Sequence, residues 1–117
     1  MDRGRPGFPF HFAAMNREDG MRIARRFKRL LLKRGYPVQR VVLFGSVARD
    51  SARTESDIDI AVVTLPFLKS QMQENVKVFL LSKDIDLRIE TVTLHPEDFD
   101  QPFFTLGAEI RRTGIDV

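Results

Sequence analysis

The spacing of apolar side chains changes along this chain, and each spacing predicts a different element. Between residues 16 and 35 apolar positions recur every three or four residues, the period of one face of an α-helix. Two continuous apolar runs follow, and runs of that length are typical of buried strands. We therefore predict, in order, a helix at 16–35, a strand at 38–44, a short helix, a strand at 57–64, a helix at 67–82, a strand at 85–92 and a closing helix at 106–112.

This order of elements predicts an α/β (α+β) fold, a small mixed sheet with helices packed mainly on one side. A chain of 117 residues suffices for one domain, which we place at 16–117. In the helix at 67–82 we expect the inward stripe to be Leu68, Met72, Val76, Phe79 and Leu80.

Residues 1–15 are predicted to be a leader or arm. Phe8, Phe10 and Phe12 alternate with Pro9 and His11, a period-2 pattern that fits an edge strand or an arm on another subunit. A disordered leader is the alternative, and the sequence does not decide between them.

Two short motifs carry the candidate chemistry. The first strand runs into Gly45 and Ser46, and the second begins with Asp57 and Asp59. Glycine lets the backbone turn tightly against a phosphate, and Ser46 adds a hydroxyl and an amide where unpaired N–H groups favour anions. Aspartates at positions i and i+2 leave a strand on one face, where they can share Mg²⁺. Each motif alone is common, but together they indicate a site for metal and phosphate.

The motifs resemble those of the minimal nucleotidyltransferases of the DNA polymerase beta-like superfamily. The similarity rests on the stretches 43–49 and 56–59 and covers residues 38–117. It implies that Asp57 and Asp59 are catalytic ligands of Mg²⁺ or Mn²⁺, with ATP as substrate. It also implies that Gly45, Ser46 and Arg49 bind the nucleotide, although a salt bridge that fixes the short helix is an equal alternative for Arg49.

The chain departs from the family's pattern at one position. Many relatives have glycine directly after this turn, whereas Asp50 stands there in this sequence. We therefore expect the short helix to end differently.

Relatives carry a third carboxylate on a later strand, and Asp86 is the best match because apolar residues flank it. The resemblance implies that Asp86 completes the catalytic and metal-binding set. Asp84 is the alternative, since four polar side chains share one face of the predicted period-2 strand: Asp84, Asp86, Arg88 and Glu90. Arg88 would partly neutralise either aspartate.

Basic residues concentrate in the first helix, in a chain whose net charge is +3 and whose pI is about 9.7. They share that helix with an apolar stripe that includes Ile23 and Phe27, so the helix is amphipathic. A basic face of this kind predicts attraction to RNA, nucleotide or an acidic partner. The alternative is a solvated face that keeps the protein soluble.

Composition excludes several other classes. The absence of cysteine excludes disulfides and thiolate metal sites, and His11 and His95 lie far apart without a third ligand, which favours surface roles. No apolar run approaches the roughly 20 residues of a membrane span, and the first residues lack an apolar signal core. We expect no membrane association and a cytoplasmic location.

The resemblance also implies a role. Small members of this family often look like antitoxins paired with a helical toxin that acts on RNA, and some adenylylate a hydroxyl on that toxin. We therefore predict a nucleotidyltransferase that moves AMP from ATP to a hydroxyl acceptor on a partner toxin. The alternatives are a catalytically weak antitoxin or binding module that acts by contact, and an RNA-binding protein. Because no separate acceptor domain fits this length, a loop, a partner or a second copy in a homo-oligomer must recognise the acceptor.

Overall fold

The computed structural model describes residues 14–117, so the alternating phenylalanines of the predicted leader lie outside the described residues. The elements are α1 Arg17–Lys33, β1 Val38–Phe44, α2 Gly45–Ala48, β2 Ile58–Thr64, α3 Gln71–Ser82, β3 Ile89–Leu94, a 3-10 helix Pro96–Asp100, α4 Thr105–Thr113 and β4 Ile115–Asp116. No helix within this part of the chain has the length and apolar character needed to cross a membrane.

The first helix begins and ends where the sequence indicates. The Asn16 side chain accepts a hydrogen bond from the Asp19 N–H at 2.8 Å, which satisfies one of the free amides of the first turn. Gly35 adopts φ 83° just beyond the last turn, a conformation that glycine takes without steric cost. Between these ends, Ala24, Phe27 and Leu31 are fully buried against the sheet.

The sheet is mixed, with strand order β3-β2-β1-β4. β1 runs antiparallel to β2 and β4, whereas β2 and β3 are parallel. On one face, Leu43, Ile58 and Ile60 form a core with the inner sides of α1 and α3. On the other face, Val42 and Phe44 pack with α4. The two longest helices therefore share one side of the sheet, as predicted, while α4 covers part of the second side.

The prediction for the third strand was wrong about where the strand begins. β3 begins at Ile89, and residues 83–88 form turns that continue from α3. The N–H groups of Ile85 and Asp86 donate to the Ser82 carbonyl, and the Asp86 carboxylate accepts the Arg88 N–H at 2.8 Å. An aspartate that bonds the backbone two residues on favours a turn, so the alternation of polar residues at 84–88 arises from a turn and not from a strand.

The inward stripe predicted for α3 is also wrong. Met72, Val76 and Leu80 are 76%, 53% and 62% exposed, and the helix turns Glu74 and Val78 inward instead. Glu74 is buried because its Oε2 accepts the N–H groups of Phe67 and Leu68 at 2.6 and 2.9 Å. The carboxylate thus satisfies the backbone of the connection between β2 and α3, which an apolar residue could not do.

His95, expected at the surface, is the second partner of this buried carboxylate. Its Nε2 lies 2.6 Å from Glu74 Oε1. Burial opposes ionisation of Glu74, but the backbone N–H donors and His95 outweigh it, so the pKa of Glu74 is lowered.

The outer edge of β3 is occupied by side chains. The Asn75 side chain accepts the Thr93 N–H at 2.7 Å, and the Gln71 side chain donates to the Thr93 carbonyl at 3.2 Å. Near the other end of the strand, Lys83 donates to the Ile89 carbonyl. Because every second residue of an edge strand directs its peptide groups outward, these bonds cover both ends of the open edge.

Candidate active site

The two motifs predicted from the sequence meet at the end of β1. Phe44 pairs with Asp59 across the β1–β2 ladder, and Gly45 follows with φ 76°. A Cβ atom on Gly45 would lie 2.3 Å from Asp59 Oδ2, closer than two such atoms can approach. Glycine therefore suits this position in both conformation and space, and any larger residue would have to displace the Asp59 carboxylate.

The Gly-Ser turn is held from two sides. The Gly45 N–H donates to Thr113 Oγ1 of α4 at 3.3 Å, and the Ser46 carbonyl accepts the Ser51 N–H at 2.8 Å. Ser46 itself is half-buried at the start of α2. The structure thus places the predicted phosphate-binding residues directly beside the predicted metal ligands.

Asp57 and Asp59 lie on the same side of the sheet because Ile58, between them, is fully buried on the other side. Asp57 is exposed and Asp59 is half-buried. The pKa of Asp59 is raised to about 6, mainly by burial and then by the charges of Asp57, Glu109 and Glu90, in that order. The Arg49 charge acts in the opposite direction. Three other acidic side chains therefore lie near Asp59.

Asp86 is not among the charged groups that act on Asp59. It lies in the turn before β3, where its Oδ2 is 2.8 Å from Arg88 Nη2. The hydrogen bond from the Arg88 side chain lowers the pKa of Asp86 and raises that of Arg88. Asp84, the alternative, lies exposed in the same turn. A carboxylate already paired with a guanidinium is a poor candidate for a metal ligand, because the two cations would compete for it.

Two acids that sequence reasoning did not select complete the group. Glu90 pairs with Asp59 across the parallel β2–β3 ladder, so Phe44, Asp59 and Glu90 form one row on one face of the sheet. Glu109 comes from α4, which packs on that face. Glu90 belonged to the period-2 set of polar residues, but the register that selects it is a long-range property. No local signal marks Glu109.

This donor set fits a divalent cation. Carboxylate oxygens are the ligands that Mg²⁺ and Mn²⁺ prefer, and the charges of Asp57, Glu109 and Glu90 all act on Asp59 at this place. Within residues 14–117 no three acidic or histidine side chains are already close enough to hold an ion by themselves. Mg²⁺ usually takes only one or two carboxylates and completes its octahedron with water and phosphate oxygens, which agrees with this arrangement.

Asp50 occupies the position where many relatives have glycine. It adopts φ 62°, a left-handed conformation that glycine reaches without strain. Its carboxylate accepts the Arg17 N–H at 2.9 Å, and Arg17 Nε donates to the Ala48 carbonyl at 2.7 Å. The aspartate therefore ends α2 in the backbone shape that glycine would take and also caps the first turn of α1.

Known proteins share both the sequence pattern and the fold. A family model for the nucleotidyltransferase domain matches residues 21–109, whereas no curated protein matches significantly. A solved structure described as a minimal nucleotidyltransferase superposes with a TM-score of 0.60 at 26% identity, over 88% of this chain and 97% of that chain.

Two toxin–antitoxin complexes contain a chain of similar fold. In a complex solved with AMP-PNP, the TM-score is 0.59 at 21% identity, over 80% of this chain and 70% of that chain. In the Shewanella oneidensis complex of a tri-AMPylated HEPN toxin with an MNT antitoxin, the TM-score is 0.55 at 20% identity, over 83% of this chain and 70% of that chain. The family match spans most of the chain, and the protein belongs to the nucleotidyltransferase domain family.

Proposed function

We propose that this protein transfers AMP from ATP to a hydroxyl group of a partner protein, as the antitoxin of a toxin–antitoxin pair. The observation that carries the proposal is the close approach of Gly45 to Asp59, which pairs with Glu90 in the sheet. The chain also belongs to the nucleotidyltransferase domain family. The partner assignment is supported by structural neighbours that are toxin–antitoxin complexes, among them one with AMP-PNP and one with an AMPylated toxin.

Each residue of the site has a separate task in this proposal. Gly45 and Ser46 receive the terminal phosphates of ATP, and Arg49, exposed at the end of α2, adds positive charge to that side. Asp57 and Asp59 hold the divalent ion. Glu90 takes the third acidic position in place of Asp86, because it lies next to Asp59 in the sheet.

The transfer step joins the acceptor oxygen to the α-phosphorus of ATP and breaks the bond from that phosphorus to the oxygen bridging to the β-phosphate. Pyrophosphate leaves, and the hydroxyl proton passes to water. A bound Mg²⁺ or Mn²⁺ would neutralise phosphate charge and lower the pKa of the acceptor hydroxyl. The chain itself fixes the phosphate-binding turn and the acids side by side, at the end of β1 and on β2.

Calorimetry with ATP tests the first part of this proposal. We expect tight binding with Mg²⁺ and weak binding in EDTA, and loss of the metal effect in a variant with Asp57→Asn and Asp59→Asn. Glu97→Gln, at an exposed glutamate of the 3-10 helix, is the control for charge removal. Equal ATP affinity with and without metal would contradict the metal site. Labelled AMP should then appear on a partner protein that co-purifies with the wild type and not with the double variant.

The basic face of α1 supports a separate binding role for that helix. It comprises Arg22, Arg25, Arg26, Arg29 and Lys33, all exposed. Among residues 14–117 only Arg22 of this set forms an ion pair, with Asp19 at 3.0 Å. Four of its five charges thus have no ionic partner within residues 14–117, and such a face attracts an acidic surface of the partner or RNA.

A further inference from the structure

A cavity of about 320 Å³ lies beside Asp59, between the sheet and α4. Its apolar part is formed by Phe44, Val92 and Leu106. Asp59, Glu90 and Glu109 supply its acidic part. A site with an apolar floor and a few polar groups at one end is typical of a small-ligand subsite.

Glu109 is held at this cavity by a well-packed helix. Its neighbour Ile110 is 2% exposed and packs in the core with Val42 and Phe44. The Glu109 carbonyl accepts a hydrogen bond from Thr113 Oγ1 at 2.9 Å, and the same hydroxyl accepts the Gly45 N–H. The last turn of α4 is thus bonded to the turn that begins the proposed phosphate site, which fixes the distance between Glu109 and that turn.

Binding of a metal ion and a triphosphate does not require Glu109. Asp57, Asp59 and Glu90 already form the acidic set, and Glu109 makes no ion pair within residues 14–117. Arg111 on the same helix is engaged elsewhere, since its Nη2 donates to the Phe99 carbonyl at 2.7 Å. Holding a further carboxylate among like charges costs free energy, and such an arrangement is typical of functional sites.

The charge of the cavity also limits its occupant. ATP carries its negative charge on the phosphates, which suit the side of Gly45, Ser46 and Arg49. A second polyanion, such as the end of a nucleic acid strand, would meet Glu90 and Glu109 as like charges. A neutral group with an apolar body and a hydroxyl would instead place the body on Phe44, Val92 and Leu106 and donate its hydrogen bond to an acid.

We infer that this cavity is the acceptor subsite of the transfer reaction, and that Glu109 accepts the hydrogen bond of the acceptor hydroxyl and orients its oxygen towards the α-phosphorus. The inference rests on the proposed function and adds a residue and an acceptor class to it. The acceptor is a hydroxyl carried by a neutral, partly apolar side chain of a protein.

Two variants test this inference with labelled ATP, Mg²⁺ and three probes: N-acetyl-serinamide, N-acetyl-tyrosinamide and an RNA oligonucleotide with a free 3′-hydroxyl. We expect the wild type to label one of the amides and not the RNA. Glu109→Gln should lower kcat/KM for the amide at least tenfold while the Kd for ATP changes less than twofold. Leu106→Phe, which narrows the cavity, should raise the KM for the amide with the same ATP affinity. Glu97→Gln should match the wild type.

The possible failures are distinguishable. Transfer by Glu109→Gln within twofold of the wild type would overturn the role of Glu109. Labelling of RNA alone would overturn the acceptor class and leave nucleotidyl transfer standing. Absence of Mg²⁺-dependent ATP binding, or of transfer to every probe, would overturn the proposed function together with the subsite.

Discussion

Among single residues, Asp59 shows the clearest shift of its pKa towards neutral pH in the folded protein. Its pKa rises from 3.8 to about 6, chiefly through burial and then through the neighbouring acids. The folded state therefore binds more protons than the unfolded state between these two values. Folding favours the protonated acid, and the free energy of unfolding receives a contribution that falls as pH rises from about 4 to about 6.

Replacement of Asp59 should remove this pH dependence. We expect Asp59→Asn to gain thermal stability relative to the wild type as pH rises from about 4 to about 7, with little difference between the two proteins below about pH 4. Thermal denaturation of both proteins across this range measures the difference. A constant difference in Tm at every pH would show that the carboxyl is not perturbed in the folded protein.

Gly35 and Gly45 have the same backbone conformation, so a comparison of the two separates the energetic effect of the close contact at the site from that of the conformation. Gly35 and Gly45 have φ 83° and 76°, but a Cβ on Gly35 would meet nothing within 4 Å, whereas one on Gly45 would meet the Asp59 carboxylate. Alanine at Gly35 should cost about 1 kcal/mol of backbone strain. Gly45→Ala should lower the free energy of unfolding by clearly more, on the order of 2–4 kcal/mol, because the new Cβ displaces the Asp59 carboxylate in addition to straining the backbone.

Urea denaturation of the two variants gives the comparison. Equal losses of stability would mean that Gly45 is required only for its conformation. A larger loss at Gly45, accompanied by loss of Mg²⁺-dependent ATP binding, would place the contact with Asp59 within the function of the site.

At the scale of elements, α3 shows why an apolar pattern can mislead. Its buried side includes Glu74, which accepts two backbone N–H groups and contacts His95, while several of its apolar side chains face outward. Glu74→Gln should cost about 2–4 kcal/mol, since the amide cannot replace the charged acceptor towards all of its donors. Glu97→Gln, at an exposed position, should be nearly neutral.

Chemical denaturation near neutral pH checks this expectation. The pKa of Glu74 is lowered by its hydrogen bonds, so its contribution is present above the unfolded-state pKa and is lost as pH falls through the lower folded-state pKa. The difference between wild type and Glu74→Gln should therefore shrink in acid. A difference of under about 0.5 kcal/mol at neutral pH would contradict the role of the buried carboxylate.

Elements with unambiguous local signals were predicted correctly, whereas an ambiguous local pattern and the long-range contacts of the site were not. The capped helix α1, the strands β1 and β2 and the Gly-Ser turn all agree with the sequence analysis. The start of β3 does not, because the bond between Asp86 and Arg88 favours a turn that has the same polar alternation as a strand. Glu90 became part of the site only through parallel pairing with β2, and Glu109 only through the packing of α4.

At the scale of the whole molecule, charge is unevenly distributed. The acids of the site lie on the α4 side of the sheet, and the basic face of α1 lies on the helix that covers the opposite side. Charge reversal of Arg25, Arg26 and Arg29 should weaken association with an acidic partner or RNA by at least tenfold at low salt. Reversal of Lys69 and Lys77, exposed basic residues outside α1, should have a smaller effect.

Binding of the co-purifying partner and of a labelled RNA, each at low and high salt, distinguishes the possible ligands. Loss of partner binding alone would identify an acidic protein surface as the target, and loss of RNA binding alone would identify RNA. Association that is insensitive to both salt and charge reversal would leave the basic face of α1 as a solvated surface.

The side chains that cover the edge of β3 have a consequence for behaviour at high concentration. A sheet whose last strand offers free peptide groups can add a strand from another molecule and grow into aggregates. Here Gln71, Asn75 and Lys83 already bond to that edge, and the opposite edge strand, β4, has only two residues. Solutions of this protein should therefore resist ordered fibril growth, although α3 exposes apolar side chains right beside the covered edge.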